Sequence, residues 1–361
     1  MSNSTWRLAD LMRLSHPKGV DRRVGNLILR GEVDAAAPTV LHGFKAMQKA
    51  GSVKDVIKVL DQFKNLPWET IPTQFLNDPQ VWRTLFYNGA LGQTALLRNV
   101  TRFAKNGAFA DLKFVGDVAK ALADSERIEK GRVHPIAYAN ALGIYQNGKV
   151  VPGDGWYIKR QKDWTTNAKI AGALEAGFYA AFGNVEPSNK RMRLSVDTSA
   201  SMTWHGPAGL VGMDCREAAA AMAMVLLRTE PYVEIVGFGS EMQVTNISDT
   251  DSLATVQKKI ARLPASDTNL SLPMTSALAT KSEIDTFVIL TDNEVNGGEM
   301  KPSQALVKYR KAMGRDARLA VVGMVASAFT IADPQDKGTM DFVGFDSEAP
   351  RVLTDFSAGR I

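Results

Sequence analysis

The stretch RMRLSVDTSASM, residues 191–202, decides how the second half of this chain folds. Apolar residues occupy every second position of its first half, so Met192, Leu194 and Val196 share one face of a predicted β-strand, with Arg193 and Ser195 on the other. The strand then leads into Asp197, Ser199 and Ser201, three small oxygen-bearing side chains that lie two positions apart. An apolar strand that ends in such a run is a common way to build a site for a hard cation.

Residues 189–361 alternate between predicted strands and predicted helices. We predict strands near 191–197, 232–238, 285–291, 318–324 and 340–345, and helices near 214–229, 252–262, 270–280, 302–313 and 348–356. This order requires crossover connections, which give a largely parallel sheet covered by helices on both faces. We therefore predict a Rossmann-like α/β domain over 189–361, with its ligand site at the carboxyl ends of the strands.

Two further loops of this domain carry candidate metal ligands. Thr268 lies in SDTN, residues 266–269, and Asp292 follows the apolar strand TFVIL and Thr291. Mg²⁺ prefers six oxygen ligands and usually keeps several waters. The predicted ligands of a Mg²⁺ site, or a site for another divalent cation, are Asp197, Ser199, Ser201, Thr268 and Asp292. Because neutral hydroxyls supply most of this shell, we expect the metal to accept an acidic oxygen from outside, as in a ligand-binding site rather than a hydrolytic one.

An enzymatic role is a weaker alternative. A strand that ends in aspartate also opens phosphatases of the haloacid-dehalogenase type, but their second carboxylate is replaced here by Ser199. Glu294, in the loop that contains Asp292, remains a candidate general base. The sequence has no GxGxxG or GxxxxGK[ST] motif, and its four histidines form no zinc-type pattern. A Mg²⁺-dependent phosphohydrolase is therefore the weakest interpretation of this sequence.

Residues 1–188 show helical periodicity with little strand character. We predict helices near 6–14, 36–50, 52–64, 79–88, 93–106, 111–129, 134–146 and 166–182. Glycine and proline separate them, most clearly in the run VPGDG at 151–155. Paired helices with short connections, about forty residues per pair, are typical of a HEAT-like solenoid. We therefore predict an α-helical repeat domain over 1–188.

Charge is divided unevenly between the two halves. Residues 1–190 contain 26 Lys and Arg against 17 Asp and Glu, a net charge of +9, whereas residues 191–361 have a net charge of −4. Within the first half, Arg98, Arg102 and Lys105 lie on one side of a predicted amphipathic helix, opposite its apolar residues. Such a stripe fits successive phosphates of a polyanion. A solvated helix face is the alternative for this helix taken alone.

The composition, with 45% hydrophobic and 22% charged residues, is that of an ordinary globular protein. The longest apolar run, 218–227, is about half of what a membrane span needs, and residues 1–13 lack the apolar core of a signal peptide. Cys215 is the only cysteine, so the chain cannot form an internal disulfide. We therefore expect a cytoplasmic protein that does not bind membranes.

The predicted metal ligands, together with Thr291, resemble the metal-ion-dependent adhesion site of von Willebrand factor A (vWA) domains. More narrowly, DTSASM, RLPASDTNLSLPM and VILTDNE are similar to the vWA domain of the Ro autoantigen family, whose members carry a TROVE module. In the first half, LMRLSHPK (11–18), LPWETIPTQFL (66–76), TALLRNVTRFA (94–104) and RVHPIAYANAL (132–142) are similar to that family's helical repeats. The resemblance extends over nearly the whole chain.

The resemblance implies an RNA-binding protein without catalytic activity. In the family, the repeats form a ring closed by the vWA domain, and small non-coding RNAs of the Y type bind its basic outer surface. Ends of misfolded RNAs enter the central hole, and bacterial members cooperate with exoribonucleases. The motif LMRLSHPK places His16 and Lys18 at the RNA surface. The implied partners are small non-coding RNA and an exoribonuclease or another acidic protein ligand at the metal, and we expect no DNA.

Two features depart from the family pattern. Family members usually carry a much longer helical region before LMRLSHPK, which leaves open whether these repeats close a ring. A metal-dependent protein-interaction module that has lost RNA binding is therefore the second interpretation. In addition, Asn269 follows Thr268 where the family commonly has aspartate. Since the threonine is retained, we expect the metal site to form.

Overall fold

The computed structural model describes residues 8–153, 157–292, 297–298, 300–325, 331–346 and 348–361. The chain divides into two compact units, which are Met1–Gly92 with Asn106–Phe114, and Gln93–Lys105 with Val115–Ile361. The predicted domain boundary after residue 188 lies inside the second unit. No helix in the described ranges is long and apolar enough to cross a membrane.

Helices account for most of the chain before residue 190, and strands alternate with helices after it. The helices are α1 (Leu8–Ser15), α2 (Arg22–Arg30), α3 (Thr39–Met47), α4 (Val53–Gln62), α5 (Pro79–Tyr87), α6 (Gln93–Lys105), α7 (Leu112–Leu122), α8 (Ser125–Lys130), α9 (Pro135–Asn147), α10 (Ala168–Ala180), α11 (Cys215–Thr229), α12 (Leu253–Ala261), α13 (Leu272–Ala279), α14 (Pro302–Met313) and α15 (Ala349–Ala358). The strands are β1 (Lys149–Pro152), β2 (Ile158–Gln161), β3 (Arg191–Asp197), β4 (Tyr232–Phe238), β5 (Met242–Val244), β6 (Thr286–Thr291), β7 (Arg318–Gly323) and β8 (Thr339–Val343).

Helix α5 shows how the first unit is stabilised. Asp78 caps the helix by accepting a hydrogen bond from the backbone N–H of Gln80 at 2.7 Å, and Pro79 occupies the first helical position. Trp82 is fully buried, and its indole N–H donates to the backbone oxygen of Leu76 at 2.7 Å. The first unit therefore has an apolar core in which the one polar atom of its largest side chain is satisfied.

The helical part of the second unit packs around Tyr138 of α9. Gln93, at the start of α6, is buried and donates from Nε2 to the Tyr138 hydroxyl at 2.6 Å. Gly177 of α10 lies so close that a Cβ there would stand 2.1 Å from a ring carbon of Tyr138. Helix α10 therefore needs glycine at this position to approach α9.

The remainder of the second unit is built on a six-stranded sheet with the order β5-β4-β3-β6-β7-β8. All neighbouring strands are parallel except β4 and β5, which are antiparallel. Strand β6 is buried along its whole length, as expected for a strand covered on both faces. The chain leaves β3 toward β4 on one side and reaches β6 on the other, so the strand order reverses beside β3. The carboxyl ends of β3 and β6 therefore form the edge where such folds bind ligands.

The predicted fold class is confirmed: an α-helical region precedes a Rossmann-like domain with a largely parallel sheet. Four local predictions are wrong. The sequence predicts no element over 22–30, 149–161 or 242–244, where the structure has α2, the β1–β2 hairpin and β5. The helix predicted over 111–129 is two helices, because the Asp124 carboxylate accepts a hydrogen bond from the backbone N–H of Arg127 at 3.2 Å and begins α8.

Candidate functional site

The loop after β3 meets the end of β6 at Asp197. The hydroxyl of Thr291 donates to Oδ2 of Asp197 at 2.7 Å, and the backbone N–H of Ser199 donates to Oδ1 at 2.8 Å. These contacts form because Leu290 pairs with Val196 in the parallel ladder, which brings both strand ends to the same edge. Asp197 is completely buried. Its carboxylate is therefore fixed at the reversal of strand order.

The other predicted ligands lie close to this carboxylate. A short 3₁₀ turn, Ala200–Thr203, brings the hydroxyl oxygen of Ser201 to 3.0 Å from that of Ser199. The hydroxyl oxygen of Thr268 lies 3.4 Å from each carboxylate oxygen of Asp197. Asp292 is 3% exposed and is near enough for its charge to act on Asp197. The structure thus brings the five predicted ligands to one buried site.

The electrostatics of the site favour a bound cation. The pKa of Asp197 is raised from 3.8 to about 6, chiefly by burial and to a smaller extent by the charge of Asp292. Hydrogen bonds from Thr291 and Ser199 oppose this rise but do not cancel it. Two buried carboxylates at one site are costly when both are ionised, and a cation between them removes that cost.

The oxygens present fit a small hard cation. Mg²⁺ binds oxygen at 2.0–2.1 Å, so two adjacent ligands of an octahedron lie about 2.9 Å apart. The Ser199 and Ser201 hydroxyl oxygens, at 3.0 Å, match that edge. Within the described ranges, no group of three or more His, Cys, Asp or Glu side chains is placed to hold a metal. Asn293 and Glu294, part of the third predicted loop, lie outside the described residues.

The predicted RNA-contacting helix is α6. Its apolar face is buried, as at Leu96 and Phe103, while Arg98 is exposed and Arg102 partly buried on the other side. Lys105 is exposed, but its ammonium group lies 2.6 Å from a carboxylate oxygen of Asp163. That acid comes from a segment distant in sequence, which is why the stripe looks unopposed in the sequence alone.

The other two predicted RNA contacts follow α1. His16 and Lys18 are both exposed. The backbone N–H of His16 donates to the oxygen of Met12 at 3.2 Å, and His16 has φ of 42°, a left-handed conformation. His16 therefore ends the helix. These residues belong to the first compact unit, whereas α6 belongs to the second.

Sequence reasoning missed Arg216, in the first turn of α11. Its side chain is 9% exposed, and Nη2 donates to the backbone oxygens of Thr198 and Ser199, in the loop after β3 that carries the candidate metal ligands. The available signal was an arginine that precedes a glutamate at the start of an otherwise apolar helix, CREAAAAMAM. Such a residue must find a buried partner, but the sequence does not say which.

Two family models match the chain. The Ro60 vWA domain matches residues 191–357, and the TROVE domain matches residues 60–147. The fold and the site therefore define a vWA-domain protein preceded by TROVE helices.

Relatives agree with this class over most of the chain. The RNA-binding protein RO60 of Deinococcus radiodurans is 34% identical over 99% of this chain and 66% of its own length. The RNA-binding protein RO60 of Caenorhabditis elegans is 37% identical over 85% of this chain and 46% of its own length. The crystal structure of the D. radiodurans RO (RSR) protein superposes with a TM-score of 0.84 at 33% identity, covering 99% of this chain and 71% of that one. The chain belongs to the Ro family, as a bacterial-type member with a vWA domain, and spans about two thirds and about half of the two curated relatives.

Proposed function

We propose that this chain is a non-catalytic RNA-binding scaffold for small structured non-coding RNA of the Y-like type and for misfolded RNA. The observation that carries the proposal is that two relatives, at 34% and 37% identity, are named RNA-binding proteins. The match to the TROVE domain over residues 60–147 includes all of α6, the helix with the cationic face. Binding is therefore expected on the helical part of the chain.

The charges of the chain support this assignment. Residues 1–190 carry a net charge of +9 and residues 191–361 a net charge of −4. Each cation that contacts a phosphate releases condensed counterions, so affinity should fall with salt in proportion to the number of contacts. Arg98 is the most accessible cation of the α6 stripe, because Arg102 is partly buried and Lys105 is paired with Asp163.

The test is the affinity for a structured RNA as a function of salt. With several phosphate contacts, the affinity should fall by a factor of about 10³ or more between roughly 50 and 200 mM salt. Arg98→Gln combined with Lys105→Gln should weaken binding and lower the salt slope. The matched control, Lys308→Gln with Lys311→Gln, removes the same charge from the exposed surface of α14 and should leave both unchanged.

Two outcomes would contradict these statements. Weak binding that does not depend on salt would favour the alternative, a protein-interaction module without an RNA surface. Equal effects of the two double variants would show that net charge matters but α6 does not, and would remove Arg98 and Lys105 from the interface.

We also propose that the vWA domain binds Mg²⁺ or another divalent cation. The residues that would hold it are Asp197, Ser199, Ser201, Thr268 and Asp292, and the supporting observation is the 3.0 Å separation of the two serine hydroxyls beside a buried carboxylate. When bound, the cation supplies an open coordination position for an oxygen ligand. An acidic side chain of a protein partner, an exoribonuclease among them, would fill that position.

Titration calorimetry tests the metal site. Ser199→Ala with Asp292→Ala should abolish Mg²⁺ binding while RNA affinity stays within about twofold, since the basic charge lies in the other half of the chain. Unchanged Mg²⁺ affinity would show that the ligand set is wrong. Turnover of a phosphoester that is lost in Asp197→Ala would instead support the phosphohydrolase.

A further inference from the structure

The metal-site loop is attached to helix α11 through a buried guanidinium. Nη2 of Arg216 donates to the backbone oxygen of Thr198 and, at 3.2 Å, to that of Ser199. These are successive carbonyl groups of the loop between Asp197 and Ser201. The arginine thus contacts only the backbone in these two bonds, and the serine hydroxyls face each other at 3.0 Å.

Arg216 extends from a helix end that is itself fixed. Asp214 accepts a hydrogen bond from the N–H of Glu217 at 2.8 Å, and Glu217 accepts one from the N–H of Asp214 at 2.9 Å, which forms a capping box. Arg160 of β2 pairs with the Glu217 carboxylate and donates to the oxygen of Gly212 at 2.9 Å. The helix end that carries the Arg216 guanidinium is therefore held in place by hydrogen bonds, and from there the guanidinium can position the loop.

Space filling alone does not explain an arginine at this place. Its side chain is 9% exposed, and its Nε has no hydrogen-bond partner among the described residues. Burying a guanidinium costs free energy that an uncharged, unbranched side chain such as methionine would avoid. The charged side chain adds the two bonds to the loop carbonyls, and its charge also acts on Asp214 and Asp197.

We infer that Arg216 is a positioning residue of the metal centre, which fixes the loop at Thr198 and Ser199 so that the hydroxyls of Ser199 and Ser201 stand together before the metal arrives. This inference rests on the proposed metal site. The inference also predicts the direction in which metal affinity changes when Arg216 is replaced. A positive charge near the site by itself opposes the binding of a cation, by Coulomb's law. If Arg216 acted only through its charge, removing it would tighten metal binding, whereas loss of positioning weakens it.

The test compares Arg216→Met with Arg193→Met in the full chain. Arg193 is the matched control because it is 3% exposed, lies four residues before Asp197 on β3, and donates to the oxygen of Pro273 at 2.8 Å. Both variants should unfold at lower temperature, because each leaves buried acceptors unsatisfied. Mn²⁺ binding by electron paramagnetic resonance should weaken about tenfold or more in Arg216→Met, and by less than about twofold in Arg193→Met.

Amide hydrogen exchange of residues 198–204 in the metal-free protein provides the second readout. Exchange there should be faster in Arg216→Met than in both the wild type and Arg193→Met. Arg216→Lys, which keeps the charge and one donor group, should fold and show a smaller loss of Mn²⁺ affinity. If Arg216→Met does not fold, this variant decides the question by the same two readouts.

Unchanged or tighter Mn²⁺ binding in the Arg216 variants would overturn the inference, and so would unchanged exchange in the loop. A wild-type chain that binds no Mn²⁺ would refute the proposed metal site. In that case Arg216 could not be a positioning residue of a metal centre, which also overturns the inference. The exchange data would then assign Arg216 only a structural role in the loop.

Discussion

Protonation of His134 should destabilise the fold in mildly acidic solution. Nδ1 of His134 accepts the hydrogen bond of the Ile136 backbone N–H at 3.1 Å and so caps α9, which requires a neutral imidazole. Its Nε2 is buried and has no hydrogen-bond partner in the described part of the chain. A second ring proton would remove the cap and place a charge on a half-buried ring whose Nε2 is shielded from water.

The structure sets the size of this effect. Burial lowers the pKa of His134 from 6.5 to about 4. At 1.36 kcal/mol per pKa unit, the full shift corresponds to about 3 kcal/mol. The contribution is complete above pH 6.5, where neither state is protonated, and it is lost as the pH falls toward 4, because the unfolded chain binds the proton first. Between pH 7.5 and 5 the loss is about 2 kcal/mol.

Carboxyl groups whose pKa is raised by burial act in the opposite direction, so the total pH dependence of stability does not isolate His134. Burial raises the pKa values of Asp197 and Asp214 to about 6. Each binds a proton in the folded chain before it does so in the unfolded chain, and the folded state gains stability as the pH falls from 6 toward 4. The effect of His134 must therefore be measured as a difference between two proteins.

The assay is urea unfolding at pH 7.5 and at pH 5, with the wild type and His134→Asn. Asparagine is a good N-cap that does not titrate, so the two proteins should differ little in stability at pH 7.5. The wild type should lose about 2 kcal/mol more than the variant on going to pH 5. Equal losses in the two proteins would refute the argument, because His134 would then not be the group that takes up the proton.

Two further predictions use matched positions. Gly177→Ala should destabilise the chain by about 1–3 kcal/mol, because the added Cβ would meet the ring of Tyr138. Gly172→Ala lies in the same helix, where an added Cβ has no atom within 4 Å, and should stabilise the chain by about 0.5–1 kcal/mol. Thermal unfolding measures both effects. Asp163→Asn should free Lys105 from its ion pair and raise RNA affinity at low salt roughly two- to fivefold. No change in a filter-binding assay would show that Lys105 does not contact the RNA.

The sheet and its loops could be predicted because their signals are local. The alternation in RMRLSVD and the unbroken apolar run of β6 each specify a strand without help from distant residues. Once two parallel strands are placed side by side, geometry brings Asp197 and Asp292 to the same edge. The sequence therefore locates the candidate metal centre, including the hydroxyls of the DTSAS loop, before any coordinates are known.

The elements missing from the prediction are short. Helix α2 is nine residues long, has Gly25 in its interior and buries no residue. Its apolar residues Val24, Leu27 and Ile28 nevertheless follow helical spacing, and Asp21 and Gly31 mark its ends, so this segment does carry a helix signal that the prediction overlooked. The β1–β2 hairpin has four-residue strands with exposed or half-buried positions, and it flanks the glycine-rich run at 151–155 that indicates only a turn.

The sequence does not determine which side chains contact one another when the residues lie far apart in the chain. Asp163 opposes Lys105 and Arg216 contacts the metal-site loop, but neither pairing follows from periodicity or charge along the chain. The expected consequences have opposite signs: the acid reduces the cationic character of α6, whereas the arginine would order the candidate metal-site loop and oppose a bound cation electrostatically. The sequence alone therefore overestimates the positive charge that α6 offers to a polyanion and does not reveal the bonds that hold the loop after β3. Both errors arise from tertiary contacts, which is why the variants proposed at Asp163 and Arg216 test the structure rather than the motif.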